Sequence, residues 1–236
     1  MLTYLRSTRH PWASLLFLLP LLAAYEGGLL WLGGDQAARF RNGADAWVRW
    51  QLELFGIGHV LIAPAIVLTV FLIWSGRRWG DRPTDPVAVW FGMAFESACF
   101  AFLLWQFSQN FGLLVERTGV RLEIAGQTTR VSQVLTYIGA GIYEEVLFRL
   151  GLFVALVAVL RAVSLPRPVA VLVAAVAAAA AFAAAHHVGP YGEAMNPYVF
   201  LFRALAGLYF TALFVARGFG IAVGAHAGYD VLVGVG

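Results

Sequence analysis

About seven apolar runs, most of them near 20 residues long, constrain the fold of this chain more than any other sequence feature. An α-helix needs about 20 apolar residues to cross the hydrocarbon core of a bilayer. Hydrophobic residues make up 61% of the 236 positions, charged residues only 12%, and the mean hydropathy is +0.77. A soluble domain is nearer to half apolar and a quarter charged. We therefore predict an all-α, polytopic transmembrane helix bundle of about seven spans, with six to eight allowed.

Short polar segments separate the predicted spans, and the length leaves no room for a separate soluble domain, so 1–236 is one membrane domain. The spans are 12–32, 59–74, 86–115, 131–160, 169–187, 198–216 and 219–235. Residues 35–55 form an amphipathic segment expected to lie along an interface, and 116–130 form a polar connector. The basic N-terminus resembles a secretory signal, but the apolar run continues through residue 32, which favours an uncleaved first helix.

Charge and amino-acid composition indicate which partners and which cellular location to expect. The net charge of +3 is small and scattered, which argues against a nucleic-acid partner. A single cysteine excludes a disulfide framework and a thiolate metal cluster. Basic residues are all arginine and Ala, Gly and Val are abundant, which indicates a GC-rich bacterial genome. We expect a multi-pass protein of the bacterial inner (plasma) membrane, and the arginine-bearing loops favour a cytoplasmic N-terminus.

Three ionisable residues lie inside the apolar run 131–160: Glu144, Glu145 and Arg149. Charges at membrane depth are costly and therefore indicate function. Glu145 and Arg149 are four residues apart, so they share a helix face and can form an ion pair. Glu144 lies about 140° around the axis from Arg149. This spacing predicts a supporting pair, with Glu144 left as a general base; the alternative is that all three merely hold helices together.

Two further spans carry histidines. His186 lies near the end of the fifth span, where a lone histidine is more often an interfacial or capping residue. His226 and Asp230 are four residues apart in the seventh span, so the carboxylate can hold or charge the imidazole. Three glycines of the seventh span favour the close helix packing that a compact site requires. These are Gly224, Gly228 and Gly234.

Other ionisable residues within the spans are Glu26, Glu96 and Arg203. We interpret them as structural, with Arg203 pairing with Glu96 or Glu26. Tyr25 and Tyr191 are weaker candidates for lining the site.

The three motifs together carry a resemblance. In chain order they are Glu144-Glu145-x-x-x-Arg149, Phe182-x-x-x-His186 and His226-x-x-x-Asp230. This set resembles the CPBP intramembrane protease family, which includes the type II CAAX prenyl endopeptidases and a myxosortase-like branch. The resemblance covers 131–236, which would hold the catalytic helices, whereas 1–130 would supply N-terminal spans and the amphipathic segment.

The resemblance implies a role for each residue. Glu144 would activate the hydrolytic water, His186 would position it, and Glu145 and Arg149 would orient the site. His226 and the residue at position 230 would stabilise the oxyanion. The family more commonly has Asn at that position, and an ionised Asp230 cannot donate a hydrogen bond. Either burial protonates Asp230 or, as we prefer, Asp230 orients His226, which donates alone.

The implied activity is glutamate-dependent hydrolysis of a peptide bond in a membrane protein or tail-anchored peptide substrate. No cofactor is expected; the alternative is a zinc-dependent variant with the metal on Glu144, His186 and His226. With a cytoplasmic N-terminus the site lies towards the periplasmic leaflet, which favours processing of a C-terminal tail over a cytoplasmic prenylated protein. Two other classes stay open: a non-catalytic immunity or assembly protein of the same fold, and a proton-relaying transporter. The oligomeric state is not predicted.

Overall fold

The computed structural model describes residues 2–34, 37, 41–59, 61–116, 130–188 and 192–235, and most of these residues are helical. The helices are α1 (Leu2–Thr8), α2 (Pro11–Gly33), α3 (Gly43–Leu54), α4 (Ile62–Arg77), α5 (Pro86–Glu116), α6 (Arg130–Glu145), α7 (Val154–Ala162), α8 (Arg167–Ala185), α9 (Pro197–Arg217) and α10 (Phe219–Val235). A π-helical segment, Val146–Phe153, joins α6 to α7 without a break. The predicted all-α bundle is confirmed.

Within the described ranges, four helices are long and apolar enough to cross a membrane: α2, α5, α8 and α9. Helices α4 and α10 are apolar but shorter. The predicted fourth span corresponds to α6, the π-helical segment and α7 together. Prolines and polar caps mark where spans begin: the imidazole of His10 caps α2 before Pro11, and the side chain of Asn196 caps α9 before Pro197.

Helix α10 lies between α5 and α6, and small residues allow the backbones to approach closely. A methyl group on Gly141 would lie 2.7 Å from the backbone nitrogen of Ala227. On the other side, a methyl group on Gly224 would lie 2.5 Å from the hydroxyl oxygen of Ser97. The predicted close packing of the seventh span is therefore confirmed, and it brings α10 against the end of α6.

A first ionic cluster joins α1, α5 and α9. The guanidinium of Arg217 binds both carboxylate oxygens of Glu96, at 2.5 and 2.6 Å, and the hydroxyl of Tyr4 donates to Glu96 at 3.0 Å. Burial, together with the neighbouring Glu96, raises the pKa of Tyr4 to about 12, so the hydroxyl stays protonated. The predicted pairing of Arg203 with Glu96 or Glu26 is therefore wrong, because both carboxylates bind other arginines.

A second ionic cluster, here called the charge box, contains Glu26, Arg41, Asp45 and Arg49. Arg41 and Arg49 each lie 3.0 Å from a carboxylate oxygen of Glu26. They also bind the two oxygens of Asp45, at 2.5 and 2.7 Å. The four side chains are between 0 and 12% exposed. The polar face of α3, together with the preceding Arg41, thus binds the end of α2 through buried charges.

Two tyrosines connect the charge box to the helix core. The hydroxyl of Tyr143, next to Glu144 in sequence, donates to Glu26 at 3.0 Å. The hydroxyl of Tyr25 donates to Asp45 at 2.9 Å. Tyr25 therefore supports α3 and does not line the site, contrary to our expectation; Tyr191 lies outside the described residues. The charge box fixes the helix turn that carries Glu144.

Candidate active site

Glu145 and Arg149 form the ion pair that their spacing predicts, with 2.8 Å between Oε1 of Glu145 and Nη1 of Arg149. Both side chains are buried. Arg149 also donates through Nη2 to the backbone oxygen of Gly207 in α9, at 3.1 Å. Its guanidinium lies 4.7 Å from the ring centroid of Phe182 in α8. This arginine therefore ties the acidic helix to both neighbouring helices.

The π-helical segment begins directly after Glu145 and contains Arg149. Such segments are rare and occur frequently at functional sites. The sequence contains no signal that would have predicted it, since apolar periodicity does not separate a π-turn from an α-turn over a few residues. Arg149, which makes contacts to α6, α8 and α9, lies within this wider helical turn.

His226 lies between the two adjacent glutamates. Its Nδ1 is 2.8 Å from Oε1 of Glu145. Because a carboxylate paired with arginine only accepts hydrogen bonds, Nδ1 must carry a proton. The ring stacks on Phe210 with 4.4 Å between centroids. These contacts hold the imidazole so that Nε2 faces Glu144 at 3.7 Å and Asp230 at 3.6 Å.

The imidazole of His186 approaches Glu144 from α8. Its Nδ1 lies 2.9 Å from the backbone oxygen of Phe182, an acceptor, so Nδ1 is the donor in this bond. In a neutral ring, Nε2 then offers a lone pair. This nitrogen is 4.0 Å from Oε2 of Glu144, too far for a direct hydrogen bond but suited to a bridging water.

The site has a closed side and an open side. The side chains of Glu145 and Arg149 are 0 and 1% exposed. Those of Glu144, His186 and Asp230 are 15, 27 and 23% exposed. The supporting groups are therefore sealed inside the bundle, and the groups with free electron pairs face outward.

All six residues singled out in the sequence lie together. They are Glu144, Glu145, Arg149, His186, His226 and Asp230. One expectation differs: Glu145, not Asp230, orients the imidazole of His226, because Asp230 lies 3.6 Å from Nε2, beyond hydrogen-bond distance. Contacts between helices distant in sequence, such as that of Phe210 with His226, were not foreseen, and no sequence spacing reports them.

The alternative of a zinc site on Glu144, His186 and His226 stays a hypothesis. Among the described residues, no group of three or more His, Cys, Asp or Glu side chains is arranged to hold a metal ion. We therefore derive no step through a metal.

A protein-family model matches the region that holds the site. The model described as type II CAAX prenyl endopeptidase Rce1-like matches residues 126–232, which include every residue of the site. This region is therefore similar to the Rce1-like family. The expected resemblance to CPBP-type proteases is confirmed, and the Rce1-like match supports a CAAX-type membrane peptidase at family level. Neither the curated proteins nor the solved structures gave a match.

Proposed function

We propose that this protein is an intramembrane endopeptidase in which Glu144 activates a water molecule for attack on a peptide carbonyl. The observation that carries the proposal is the convergence of three helices on one carboxylate. Oε2 of Glu144 lies 3.7 Å from Nε2 of His226 in α10 and 4.0 Å from Nε2 of His186, at the end of α8.

Glu144 and His186 are suited to orient the nucleophile. A water between them donates one hydrogen to the carboxylate and the other to the lone pair of His186 Nε2. Its own lone pair then points towards a bound carbonyl. As the oxygen attacks the carbonyl carbon, the proton passes to Glu144, which acts as general base. A positioned base of this kind typically contributes about 10² to 10⁴ in rate.

His226 is the group suited to stabilise the oxyanion. Since Nδ1 donates to Glu145, Nε2 carries a second proton only in the imidazolium form. The carboxylates of Glu144 and Asp230 face this nitrogen and favour that positive charge. Asp230 in this account supports the charge of His226, a role that an Asn cannot fill. A preorganised donor at a developing oxyanion is usually among the larger contributions to catalysis.

Collapse of the tetrahedral intermediate breaks the carbon–nitrogen bond. Glu144 returns its proton to the leaving amine, and the second proton of the water stays with the new carboxylic acid before it ionises. The balance is one water and one amide consumed, one acid and one amine formed. No covalent enzyme intermediate and no cofactor are required.

The proposed substrate is a membrane protein or tail-anchored peptide cleaved near its C-terminus. The setting is a bacterial plasma membrane with the N-terminus in the cytoplasm. His186 and the start of α9 then lie towards the periplasmic leaflet, which supports tail processing there. A reporter fusion that placed the C-terminus in the cytoplasm would contradict this orientation.

The test is processing of a tail-anchored reporter by wild type, Glu144→Ala and His186→Ala in membranes. We expect both substitutions to abolish processing while the proteins remain at wild-type levels. His59→Ala, which alters an exposed histidine outside the site, is the control and should process normally. Normal processing by Glu144→Ala would overturn the proposal.

A further inference from the structure

An arginine that the proposed mechanism does not use lies beside the site. Glu193 contacts the end of α8: its N–H donates to the backbone oxygen of His186 at 2.9 Å. The backbone oxygen of Glu193 in turn accepts from Nδ1 of His187 at 3.0 Å. The Glu193 carboxylate binds Nη2 of Arg203, in the second turn of α9, at 2.8 Å. Glu193 therefore holds Arg203 next to the turn of His186.

Only part of the Arg203 guanidinium is hydrogen-bonded. Its Nη1 is buried, and the described residues place no hydrogen-bond acceptor within reach of it. The side chain as a whole is 20% exposed. A buried donor without an acceptor is unfavourable, so such an atom in a native protein requires an explanation. A ligand carboxylate is the natural partner, because the guanidinium fork matches its geometry.

Arg203 lies near the site, because the carboxylate that it binds belongs to Glu193, whose N–H donates to the backbone oxygen of His186. The neighbouring residue Phe202 lies 6.1 Å from the ring of Tyr229, next to Asp230. Arg203 is thus a cation on the accessible side, whereas Arg149 is neutralised by Glu145 within the closed side.

Glu193 does not occupy all of the hydrogen-bond donors of Arg203. Its side chain is 56% exposed, and the hydrogen bond from Arg203 lowers the pKa of the Glu193 carboxyl, which keeps it ionised. A single carboxylate at Nη2 leaves the Nη1 donors without a partner among the described residues. Glu193 therefore positions the guanidinium of Arg203 and leaves its Nη1 group unbonded within the described part of the chain.

We infer that Arg203 binds a carboxylate of the substrate, first of all the α-carboxylate of the C-terminal tail. This inference rests on the proposed function and names the group that selects the substrate. A C-terminal tail always carries that anion, and a carboxylate entering a bilayer-facing site is costly unless a cation pairs with it. Glu144 and Asp230 would otherwise repel it. Arg203 makes the site selective for bonds close to a free C-terminus.

The experiment uses purified protein in liposomes and a library of N-palmitoylated peptides with randomised C-terminal residues. The library is prepared twice, as free acids and as C-terminal amides, and cleavage is read by mass spectrometry. Wild type should cleave the acids with kcat/KM roughly 10- to 100-fold above the amides, the range expected for one charge-assisted pair. Arg203→Gln should lose this advantage and cleave the amides as wild type does.

Three comparisons interpret the result. Glu193→Gln keeps the cation and should retain the preference for acids, whereas a merely structural Arg203 would lower cleavage of acids and amides alike when replaced. Amides with an acidic residue near the end, if cleaved as well as the acids, would assign the carboxylate to a side chain. Equal cleavage of acids and amides by wild type, abolished by Glu144→Gln, would overturn this inference and leave the proposed function standing. No cleavage by wild type would overturn both.

Discussion

The charge box and the site are two ionic clusters of the described bundle, and they differ in how completely their charges are paired. In the charge box, two arginines and two carboxylates bind one another at 2.5 to 3.0 Å and are at most 12% exposed. In the site, Glu145 and Arg149 form one ion pair at 2.8 Å, and Glu144 lies 3.7 Å or more from its nearest histidine nitrogens. One cluster is closed, and the other leaves a carboxylate ready to bind water.

The difference separates structural from chemical charges. A buried charge is tolerated when a partner and hydrogen bonds satisfy it, and breaking such a pair is strongly destabilising. A catalytic base must instead keep an electron pair available, at some cost in stability. Glu26 and Glu144 are both glutamates in apolar helices and are linked through Tyr143. Replacing Glu26 should lower stability, whereas replacing Glu144 should lower activity.

The largest expected effect is on the rate of cleavage by Glu144→Gln. Removal of the general base should lower the rate by about 10² to 10⁴. The melting temperature should change little, because the Glu144 side chain makes no close pair with either histidine. Rate measurements in liposomes, with thermal unfolding of the same preparation, check both parts. A large loss of stability would place Glu144 with the structural charges.

Glu26→Gln should show the reverse behaviour. It leaves Arg41 and Arg49 with one carboxylate between them, and breaking a buried ionic group costs about 3 to 5 kcal/mol. The folded fraction should keep most of its activity, since Glu26 does not touch the reacting atoms. Unfolding of the purified protein measures the cost. A variant as stable as wild type would show that the charge box does not support the fold.

Gly141→Ala tests the close approach of α6 and α10 that brings His226 to Glu144. The added methyl group would meet the backbone of Ala227 at 2.7 Å, and overpacking of this kind costs about 1 to 3 kcal/mol. Activity should fall with stability. Gly27→Ala is the control, because nothing lies within 4 Å of the added carbon. Equal behaviour of the two variants would contradict the packing argument.

Chelators should have the smallest effect. The mechanism uses only side chains of the chain, so treatment with EDTA or phenanthroline should leave the cleavage rate within about twofold of the untreated enzyme. Loss of cleavage that zinc restores would instead support the metal alternative on Glu144, His186 and His226.

The bounds of the helices could be predicted from the sequence where a single physical requirement determines them. Bilayer thickness determines the length of an apolar run, so the predicted spans 12–32 and 86–115 lie close to Pro11–Gly33 and Pro86–Glu116. Helical spacing likewise predicted the pair Glu145–Arg149, because residues four apart share a face.

Contacts between helices were less predictable. Arg217 binds Glu96 across 121 residues, and Glu145 holds His226 across 81. No periodicity reports which of several carboxylates lies opposite a given cation. For this reason the sequence did not predict that Arg203 binds Glu193 or that Glu145 binds Nδ1 of His226. The family resemblance predicted that the six site residues lie together. Which of them contact one another is seen only in the structure.

The most direct test is a double-mutant cycle on Glu144 and His186, measured as cleavage rates of one substrate in liposomes. If both groups act on one water, their effects cannot be independent, because residues that work as a unit are strongly non-additive. We expect Glu144→Gln combined with His186→Gln to be no slower than Glu144→Gln alone, within about twofold. Multiplication of the two single effects would show that the residues act separately and would contradict a shared catalytic water.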